Sequence, residues 1–502
     1  MSRPIKHVVV VLLVCFTALF VQLNRVQFYG AQGLIDNPAN TRTIQRDFNR
    51  PRGQIITRDD VVVAVSEPTP GGFFDAQRQY PEGDLYAHVA GYTSFTFGAQ
   101  GVEREYNDAL IGRTATQELS GLTDLLDGTN PIGNVRLTIR HDLQLLARDG
   151  LAGQRGSVVA LDPATGEILA MYSNPTFDPN RIADNDGSLA NEAWTELTTA
   201  EDNPLLERTY REIFFPGSTF KVVTAAAGLD RNLISTIAPE FVVVDTYLPP
   251  LTERPISNFG GSNCGGNLIE LLVVSCNSGF AELGAEIVGP SAMIETAEAF
   301  GFNQTPPIDL PLPVASNFPD DFGALVSDGT PEIPAGVFEN TPALAQSSIG
   351  QNDVSASPLQ MALVASAVVN GGQVPVPHVL GAVEDAESGR IVSEFDDGTW
   401  TTAMSAGTAE LLTGAMVEVV ERGTAQGLAI PGLTVGGKTG TAQLGTDPPR
   451  SHAWIIGFAG RPGERAEIAV AVLVEGQEGS SEQTGGRVAA PIARSILERF
   501  FQ

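Results

Sequence analysis

Ser218 and Lys221, in the stretch FFPGSTFKVV, are the first residues whose types and spacing could perform chemistry. Pro216 and Gly217 end the preceding segment and an apolar, alanine-rich stretch follows, so a helix is predicted to start near Ser218. Residues three apart lie on one helix face, which sets the lysine amine beside the serine hydroxyl. A serine becomes a nucleophile when a base takes its proton, and a buried lysine can be that base whereas arginine cannot. The competing interpretation is a helix N-cap serine with a solvated lysine one turn later.

Two later motifs favour the catalytic interpretation. Only three of the 30 basic residues are lysines. Lys221 forms the pair with Ser218, and Lys438 belongs to the second of the later motifs. Ser275 and Asn277 flank a cysteine in VVSCNSGF, and Lys438 opens K-T-G-T in GGKTGTAQ. A GC-rich genome would explain why arginine replaces lysine generally, but not where the remaining lysines stand.

The ordered motifs S-x-x-K, S-x-N and K-T-G resemble those of the penicillin-binding proteins and serine β-lactamases. The two glycines before Lys438, the HAW segment after it, and SPLQMA followed by NGG are also similar to that family. The resemblance runs from about Gly156 to the end of the chain. It implies an α+β transpeptidase domain in which helices flank an antiparallel sheet.

The resemblance implies specific catalytic roles in a peptidoglycan D,D-transpeptidase. Ser218 would attack the carbonyl of the penultimate D-Ala of a stem pentapeptide, and Lys221 would take its proton. Ser275 would relay a proton to the leaving D-Ala, and Asn277 would hold both the substrate amide and the Lys221 amine. β-Lactams would acylate the same serine.

The K-T-G segment is expected to bind the substrate. In relatives the lysine, here Lys438, contributes positive potential, and hydroxyls such as those of Thr439 and Thr441 bind the terminal carboxylate on either side of Gly440. The backbone N–H groups of Ser218 and Thr441 would form the oxyanion hole. The strand would also pair with the substrate main chain as an added strand.

The segment from Arg52, RGQIITRDD, is similar to the R-G-x-I-x-x-R-x-G segment of class B penicillin-binding proteins. Gly101, Val102 and Glu103 with the following YND resemble another part of the same region. Asp60 stands where the family has Gly or Asn, so a local difference in this turn is expected. Too few residues separate the N-terminal apolar run from Arg52 for a class A glycosyltransferase domain. The resemblance also implies docking to a glycan polymerase of the RodA/FtsW kind.

The N-terminal run from Val8 to Leu23 carries no charge and predicts a membrane anchor. No good small-x-small cleavage site follows it, so an uncleaved signal anchor is preferred to a cleaved signal peptide. The predicted organisation is a cytoplasmic head and transmembrane helix at 1–24, a small elongated pedestal domain at 25–150, and a transpeptidase domain at 151–502. Residues beyond the anchor are expected outside the cytoplasm, in a single-pass cell-membrane protein.

Hydrophobic periodicity predicts the elements that position these motifs. GSVVALDPATGEILAMYS reads as two strands around a PATG turn, and HAWIIGFAG and AEIAVAVLVEG read as adjacent strands. HDLQLLARDGL and ASPLQMALVASAVVNGG read as helices, the second ended by its glycines. Strands at both ends with helices between them predict one sheet shared by the first and last segments.

Composition narrows the function class and the ligands. The net charge of −29 argues against nucleic-acid binding, which needs a basic surface. None of the five histidines shows metal-ligand spacing, so neither a metal nor a cofactor is expected. Cys264 and Cys276 could form a disulfide in an oxidising compartment, and two buried thiols are an equally open alternative.

Three other functions compete with transpeptidation. GLTVGGKT, ending at Thr439, satisfies the Walker A pattern, although a poor strand precedes it and a poor helix follows it. A serine β-lactamase of class A would need a deacylating glutamate after the S-x-N motif, and DLPLPVASNFPDD contains none. A D,D-carboxypeptidase side activity stays open, as does the choice between septation and elongation.

Overall fold

The computed structural model describes residues 3–25, 48–114, 117, 132–329, 335–447, 450–477 and 483–502. The chain divides into two compact units, one of Met1–Pro51 with Glu67–Gln77 and one of Arg52–Ser66 with Arg78–Gln502. The first unit contains the helix Arg3–Asn24, which includes the predicted anchor. In the part of the chain that the structure describes, no helix has both the length and the apolarity that a membrane span requires.

A five-stranded antiparallel sheet forms the centre of the second unit. Its strands are β1 Gly156–Leu161, β2 Ile168–Asn174, β3 Thr434–Gln443, β4 Ser451–Gly460 and β5 Ile468–Val474. Their order in the sheet is β3-β4-β5-β1-β2, so the strand that carries K-T-G lies at one edge. The first strand β1 pairs with β5 from the end of the chain, which confirms that the two ends share one sheet.

Helices cover both faces of this sheet. All residues of β4 and β5 are buried, as expected for strands that read as continuous apolar runs. The helix Pro358–Val369 packs against β4, β5 and β1, and the helices His141–Leu151 and Ala490–Phe500 pack against each other and against the sheet. The α+β class, the PATG hairpin and the predicted helices at 141–151 and before Gly371 are confirmed.

A second, mixed sheet joins the N-terminal segment to later parts of the chain. Gly133–Leu137 pairs in parallel with Ile55–Ile56 on one side and antiparallel with Leu380–Asp385 on the other. The predicted boundary near residue 150 is therefore crossed by hydrogen bonds between strands. The division into three domains itself stays a prediction.

A buried ion network supports the segment that resembles class B proteins. Glu103 is fully buried and its carboxylate accepts hydrogen bonds from Arg52 Nε at 2.6 Å and from Arg78 Nε at 2.7 Å. Burial alone would raise the pKa of this carboxyl, but the two guanidinium groups outweigh burial and hold the pKa below its usual value. Arg52 and Glu103 belong to two separate segments that resemble class B proteins, and the structure shows that the two residues are in direct contact.

Asp60 occupies a turn that needs a left-handed residue. Its φ is 66°, a conformation that Gly and Asn adopt readily and Asp tolerates better than most residues. The Asp60 carboxylate also accepts a hydrogen bond from Arg136 Nη1 at 2.7 Å. The departure from the family pattern is therefore compatible with this turn geometry.

The remaining elements complete the two units. Other strands are Val62–Pro68, Ala76–Gln79, Thr93–Ser94, Gly98–Ala99, Phe241–Val244, Thr246–Tyr247, Ile256–Ser257, Cys264–Gly266, Leu325–Asp328, Ala335–Phe338, Gln373–Pro375, Ile391–Glu394 and Thr399–Thr402. The α-helices used below are α1 Lys221–Asp230, α2 Leu268–Val273 and α3 Asn277–Glu282. Further α-helices are Ala87–Ala90, Val102–Glu105, Asn107–Leu110, Gly187–Thr199, Arg208–Arg211, Gly289–Ala299, Thr341–Ser347 and Ala406–Arg422. Single 3₁₀ or π turns span Gly83–Tyr86, Pro179–Arg181, Gly217–Phe220, Phe259–Gly261, Leu283–Val288, Gln426–Leu428 and Gly485–Ala489.

Candidate active site

Ser218 lies in a 3₁₀ turn, Gly217–Phe220, that leads directly into α1 at Lys221. The structure therefore agrees with the predicted helix start near Ser218, with one 3₁₀ turn before the α-helix. Gly217 has a φ of 53°, so the right-handed helical backbone does not extend further toward the N-terminus. A 3₁₀ turn has three residues per turn, so side chains three apart eclipse each other. This geometry sets Lys221 directly above the half-buried Ser218 more closely than an α-helix would.

Glycine is required where this turn meets β3. A Cβ built on Gly217 would stand 2.8 Å from the Thr441 carbonyl oxygen. A Cβ on Gly440 would stand 2.8 Å from the Pro216 carbonyl oxygen, so the two segments touch through their backbones. The exposed edge of β3 is thereby held against the serine that the sequence predicts as nucleophile.

The Lys221 amine is fully buried and bound to the S-x-N segment. Nζ donates to the carbonyl oxygen of Ser275 at 2.7 Å and to Oδ1 of Asn277 at 2.7 Å, and it lies 3.4 Å from Ser275 Oγ. Burial, and then the neighbouring Lys438 ammonium, lower the pKa of Lys221 well below its usual value. Both effects favour the neutral amine, which is the form that the predicted role as a base requires.

The Ser275 hydroxyl links the two lysines. Lys438 Nζ donates to Ser275 Oγ at 2.8 Å and to the Thr439 carbonyl oxygen at 3.0 Å. Ser275 has a φ of 60° in the link between α2 and α3, which turns the chain so that its side chain reaches both amines. A hydroxyl between two amines can accept a proton from one side and donate one on the other.

Lys438 is also fully buried, and burial lowers the pKa of its amine to about 7. Thr439, the next residue of β3, shares a hydrogen bond of 2.7 Å with the Thr424 hydroxyl. Thr441 is half-buried at the β3 edge. The structure thus brings the residues of all three motifs together, while their individual roles stay predictions.

The low pKa of Lys438 predicts how stability depends on pH. Between pH 7 and about 10.5 the amine of the unfolded chain holds a proton that the folded chain has lost. The unfolded state therefore binds more protons, and the free energy of unfolding should rise with pH across this window, by at most about 1.4 kcal/mol per pH unit for this amine. Below pH 7 the Lys438 amine is protonated in both the folded and the unfolded chain. The folded state then bears the full free-energy cost of burying a charged amine.

Urea denaturation of the wild type and of Lys438→Met at pH 7, 8 and 9 measures this dependence. The variant is expected to show a smaller rise of the unfolding free energy, because the Lys438 amine no longer contributes to it. Equal slopes in the two proteins would mean that Lys438 stays protonated in the folded state.

Asn258, which the sequence patterns did not single out, holds the S-x-N segment in place. Its buried Oδ1 accepts the backbone N–H groups of Asn277 at 3.0 Å and Ser278 at 2.9 Å, at the start of α3. Its Nδ2 donates to the Val244 carbonyl oxygen at 2.9 Å and to Ser278 Oγ at 3.1 Å. The amide side chain of Asn258 thus joins the start of α3 to the strand Phe241–Val244. A lone asparagine in a turn-rich stretch gives no sequence signal for such a role.

Asn258→Ala is expected to slow acylation about 10-fold and to lower the unfolding free energy by about 2–3 kcal/mol. The reason is that two buried N–H groups and one carbonyl lose their partners. The acylation rate is measured with a fluorescent penicillin well below the melting temperature, where the variant is folded. This measurement separates slower acylation from loss of folded protein.

Two further variants control this experiment. Asn258→Asp keeps the acceptors for the start of α3 and should retain more activity than the alanine variant. Asn191→Ala, which changes an exposed asparagine, should behave as wild type. Equal acylation in wild type and Asn258→Ala would show that Asn258 does not position the motif.

A disulfide joins the centre of the S-x-N motif to a neighbouring strand. The Sγ atoms of Cys264 and Cys276 are 2.11 Å apart, so the structure contains the disulfide and not two free thiols. Cys264 begins a strand that pairs with Phe241–Val244. The segment that contains Ser275 and Asn277 is therefore tied covalently to the strand Cys264–Gly266.

The P-loop alternative is wrong. Lys438 and Thr439 lie inside β3, whereas the residues of a phosphate-binding loop must open a helix.

In the described residues, no group of three or more His, Cys, Asp or Glu side chains could hold a metal ion. His452 lies on β4 opposite Ala442, and its Nδ1 accepts the Gly476 N–H at 3.1 Å.

Comparison with known proteins agrees with this geometry. Residues 156–498 match the penicillin binding protein transpeptidase domain, and residues 52–135 match the penicillin binding protein A dimerisation domain. The chain is 36% identical to the peptidoglycan D,D-transpeptidase PbpA of Mycolicibacterium smegmatis, over 99% of this chain and 98% of that protein. It is 34% identical to PbpA of Mycobacterium tuberculosis, over 100% and 99% of the two chains.

The fold is similar to a solved structure of penicillin-binding protein A from M. tuberculosis, a ceftriaxone acyl-enzyme complex. The TM-score is 0.80 at 33% identity, covering 91% of this chain and 100% of that chain. The penicillin G acyl-enzyme complex of the same protein has a TM-score of 0.78 at 33% identity, over 90% and 100% of the chains.

Proposed function

The chain belongs to the class B penicillin-binding protein transpeptidases, and from this membership we propose that it cross-links peptidoglycan stem peptides through an acyl-enzyme on Ser218. The observation that carries the proposal is the contact of two buried amines, those of Lys221 and Lys438, with one hydroxyl, that of Ser275. Lys221 stands one 3₁₀ turn from Ser218. This arrangement supplies a nucleophile, its base and a proton route at one edge of the sheet.

Acylation begins when Ser218 Oγ attacks the carbonyl carbon of the penultimate D-Ala. The Lys221 amine takes the hydroxyl proton, and its lowered pKa favours the neutral form that can do so. The carbonyl oxygen becomes an oxyanion, and the backbone N–H groups of Ser218 and Thr441 stabilise it. The hydroxyls of Thr439 and Thr441 bind the terminal carboxylate of the substrate.

Collapse of this intermediate breaks the peptide bond and releases D-Ala. The proton held by Lys221 passes through the Ser275 hydroxyl to the leaving amine, since Ser275 Oγ lies within 3.4 Å of both lysine amines. The acyl group stays on Ser218 as an ester. An amine of an acceptor strand then attacks this ester, and its proton returns by the reverse route so that Ser218 Oγ is regenerated.

The β-lactamase alternative requires a base that activates water against the ester. No glutamate lies in DLPLPVASNFPDD, the stretch that corresponds to the one carrying this base in class A β-lactamases. The acyl-enzyme should therefore be long-lived in water and should react with amines. Slow hydrolysis of the same ester would be the carboxypeptidase side activity.

Labelling with a penicillin tests the proposed function. The expected result is one covalent adduct per chain, on the peptide that contains Ser218, formed with or without added nucleotide. Incubation with a pentapeptide donor and an amine acceptor should release D-Ala and form the cross-linked product. No adduct, or an adduct on another residue, would overturn the proposal.

The location outside the cytoplasm is a further part of the proposal. Its support is the uncharged run from Val8 to Leu23 and the site of the proposed substrate, which is the cell wall. In spheroplasts, added protease should degrade a tag at the C-terminus of the full chain. A tag that stays protected while the membrane is intact would contradict this orientation.

A polymerase partner of the RodA/FtsW kind is proposed for the N-terminal region. The support is membership of the class and the match of residues 52–135 to a dimerisation domain. The full chain should co-purify with such a polymerase from detergent-solubilised membranes. Co-purification that persists after exchange of residues 52–135 for an unrelated domain would rule out this surface.

A further inference from the structure

A phenylalanine side chain is exposed in the turn-rich segment TPGGFFD, residues 69–75. This segment connects the strands Val62–Pro68 and Ala76–Gln79. Phe73 is 73% exposed, whereas the neighbouring Phe74 is buried. Residues 70–74, named here the aromatic tip, carry no charged side chain. The tip therefore presents one large apolar side chain to the solvent on an uncharged stretch of chain.

Hydrogen bonds close the turn that carries the aromatic tip. The Thr69 N–H donates to the Asp75 carbonyl oxygen at 3.0 Å, and Thr69 Oγ1 donates to the Phe74 carbonyl oxygen at 2.7 Å. The Gly72 N–H donates to the Thr69 carbonyl oxygen at 3.0 Å. Because the turn is already ordered, burial of the Phe73 side chain against another surface would cost little further conformational entropy.

The aromatic tip packs against residues from the N-terminal side of the chain. The rings of Phe48 and Phe74 meet edge to face, with their centroids 4.8 Å apart. The Asn49 side-chain oxygen Oδ1 accepts a hydrogen bond from the Asp75 N–H at 3.3 Å. These contacts attach the tip to the segment that follows the predicted anchor in the sequence.

The predicted anchor and the aromatic tip belong to one compact unit, which consists of Met1–Pro51 and Glu67–Gln77. In the helix Arg3–Asn24 of this unit, the apolar side chains of residues 8–14 are 42% to 63% exposed. A continuous apolar surface of this kind marks contact with a membrane or with another protein. The unit therefore exposes apolar side chains both on the helix and at the tip.

A membrane interface matches the aromatic tip in two ways. Aromatic side chains are favourable at the boundary between headgroups and acyl chains, where the ring leaves water and nearby polar groups stay hydrated. Glu67 and Asp75 flank the tip in sequence and are exposed. Their carboxylates resist transfer out of water, which limits insertion to the uncharged residues between them.

We propose that the aromatic tip inserts Phe73 into the interfacial region of the bilayer that holds the predicted anchor. The inference rests on the proposed location of the chain and adds a second membrane contact to the helix. Two contacts would restrict how the N-terminal unit tilts and rotates on the membrane, which one helix alone does not.

Phe73→Trp in the full chain tests this contact by fluorescence quenching. The variant is reconstituted in phosphatidylcholine vesicles with and without a phosphatidylcholine that carries a nitroxide, a short-range quencher, on the fifth acyl carbon. The emission of the wild type, which contains three tryptophans, is subtracted. The nitroxide lipid should reduce the added emission about 2-fold or more, because an interfacial side chain reaches about 5–10 Å into this boundary.

Phe259→Trp is the matched control. Phe259 is 67% exposed and also lies in a glycine-rich turn, Phe259–Gly261, but it belongs to the other compact unit. The emission added by this substitution should be the same with and without the nitroxide lipid. Melting temperatures equal to that of the wild type check that both variants are folded.

The outcomes separate this inference from the other proposals. Equal quenching in the two variants would overturn the membrane contact and leave Phe73 to water or to a protein partner, and flotation of the full chain with vesicles would still support the anchor. A full chain that does not float with vesicles would contradict the proposed location together with this inference. Penicillin labelling of Ser218 tests the transpeptidase function independently of either result.

Discussion

Ser218→Ala is expected to leave no covalent penicillin adduct, with a loss of acylation of at least ~10³-fold. The substitution removes the only atom proposed to form the ester, and no neighbouring group can replace it in the same geometry. Intact-mass spectrometry after incubation with excess penicillin measures the effect. An adduct of wild-type yield in this variant would contradict the central assignment.

The same variant should be as stable as the wild type. In the described residues no hydrogen bond involves Ser218 Oγ, and the residue is only half-buried. Loss of this hydroxyl should therefore change the unfolding free energy by no more than about 0.5 kcal/mol. Urea denaturation distinguishes a missing nucleophile from a protein that does not fold.

Lys221→Arg is expected to reduce the acylation rate by at least ~10²-fold, because arginine keeps the positive charge and cannot act as a base. The larger guanidinium would also have to fit where a fully buried amine now makes hydrogen bonds to Ser275 and Asn277. Stopped-flow acylation across pH 6 to 9 gives the rate and its pH dependence.

Lys6→Arg is the matched control, since it exchanges the lysine that lies outside the motifs. It should acylate as the wild type does. Near-normal acylation in Lys221→Arg would show that the charge of Lys221 matters and its ability to lose a proton does not.

The structure also answers a question that the motif alone leaves open, namely why residue 438 is lysine in a chain rich in arginine. A positive charge on its own would be satisfied by either residue. The Lys438 amine, however, is fully buried between Ser275 Oγ and the Thr439 carbonyl oxygen. An arginine there would bury five N–H donors and a permanent charge, and few acceptors are available to it.

The chemistry and much of the fold could be predicted because they depend on local patterns. The spacing of Ser218 and Lys221 along one turn, the PATG hairpin between β1 and β2, and the apolar runs of β4 and β5 are properties of short segments. The order of the three motifs carries the family resemblance without any knowledge of distances. The predicted helix start near Ser218 is of the same kind, and the structure adds that its first turn, Gly217–Phe220, is a 3₁₀ turn.

The sequence by itself determined which groups are present, the antiparallel α+β domain that carries them and the reaction class they suggest. Only the tertiary structure decided that Ser275 lies between two amines, that burial lowers the pKa of both, and that Asn258 and the Cys264–Cys276 disulfide hold the S-x-N segment. These features join residues far apart in the chain and depend on the exclusion of water. Burial and long-range contacts arise from packing of the whole domain, so no short stretch of sequence encodes them.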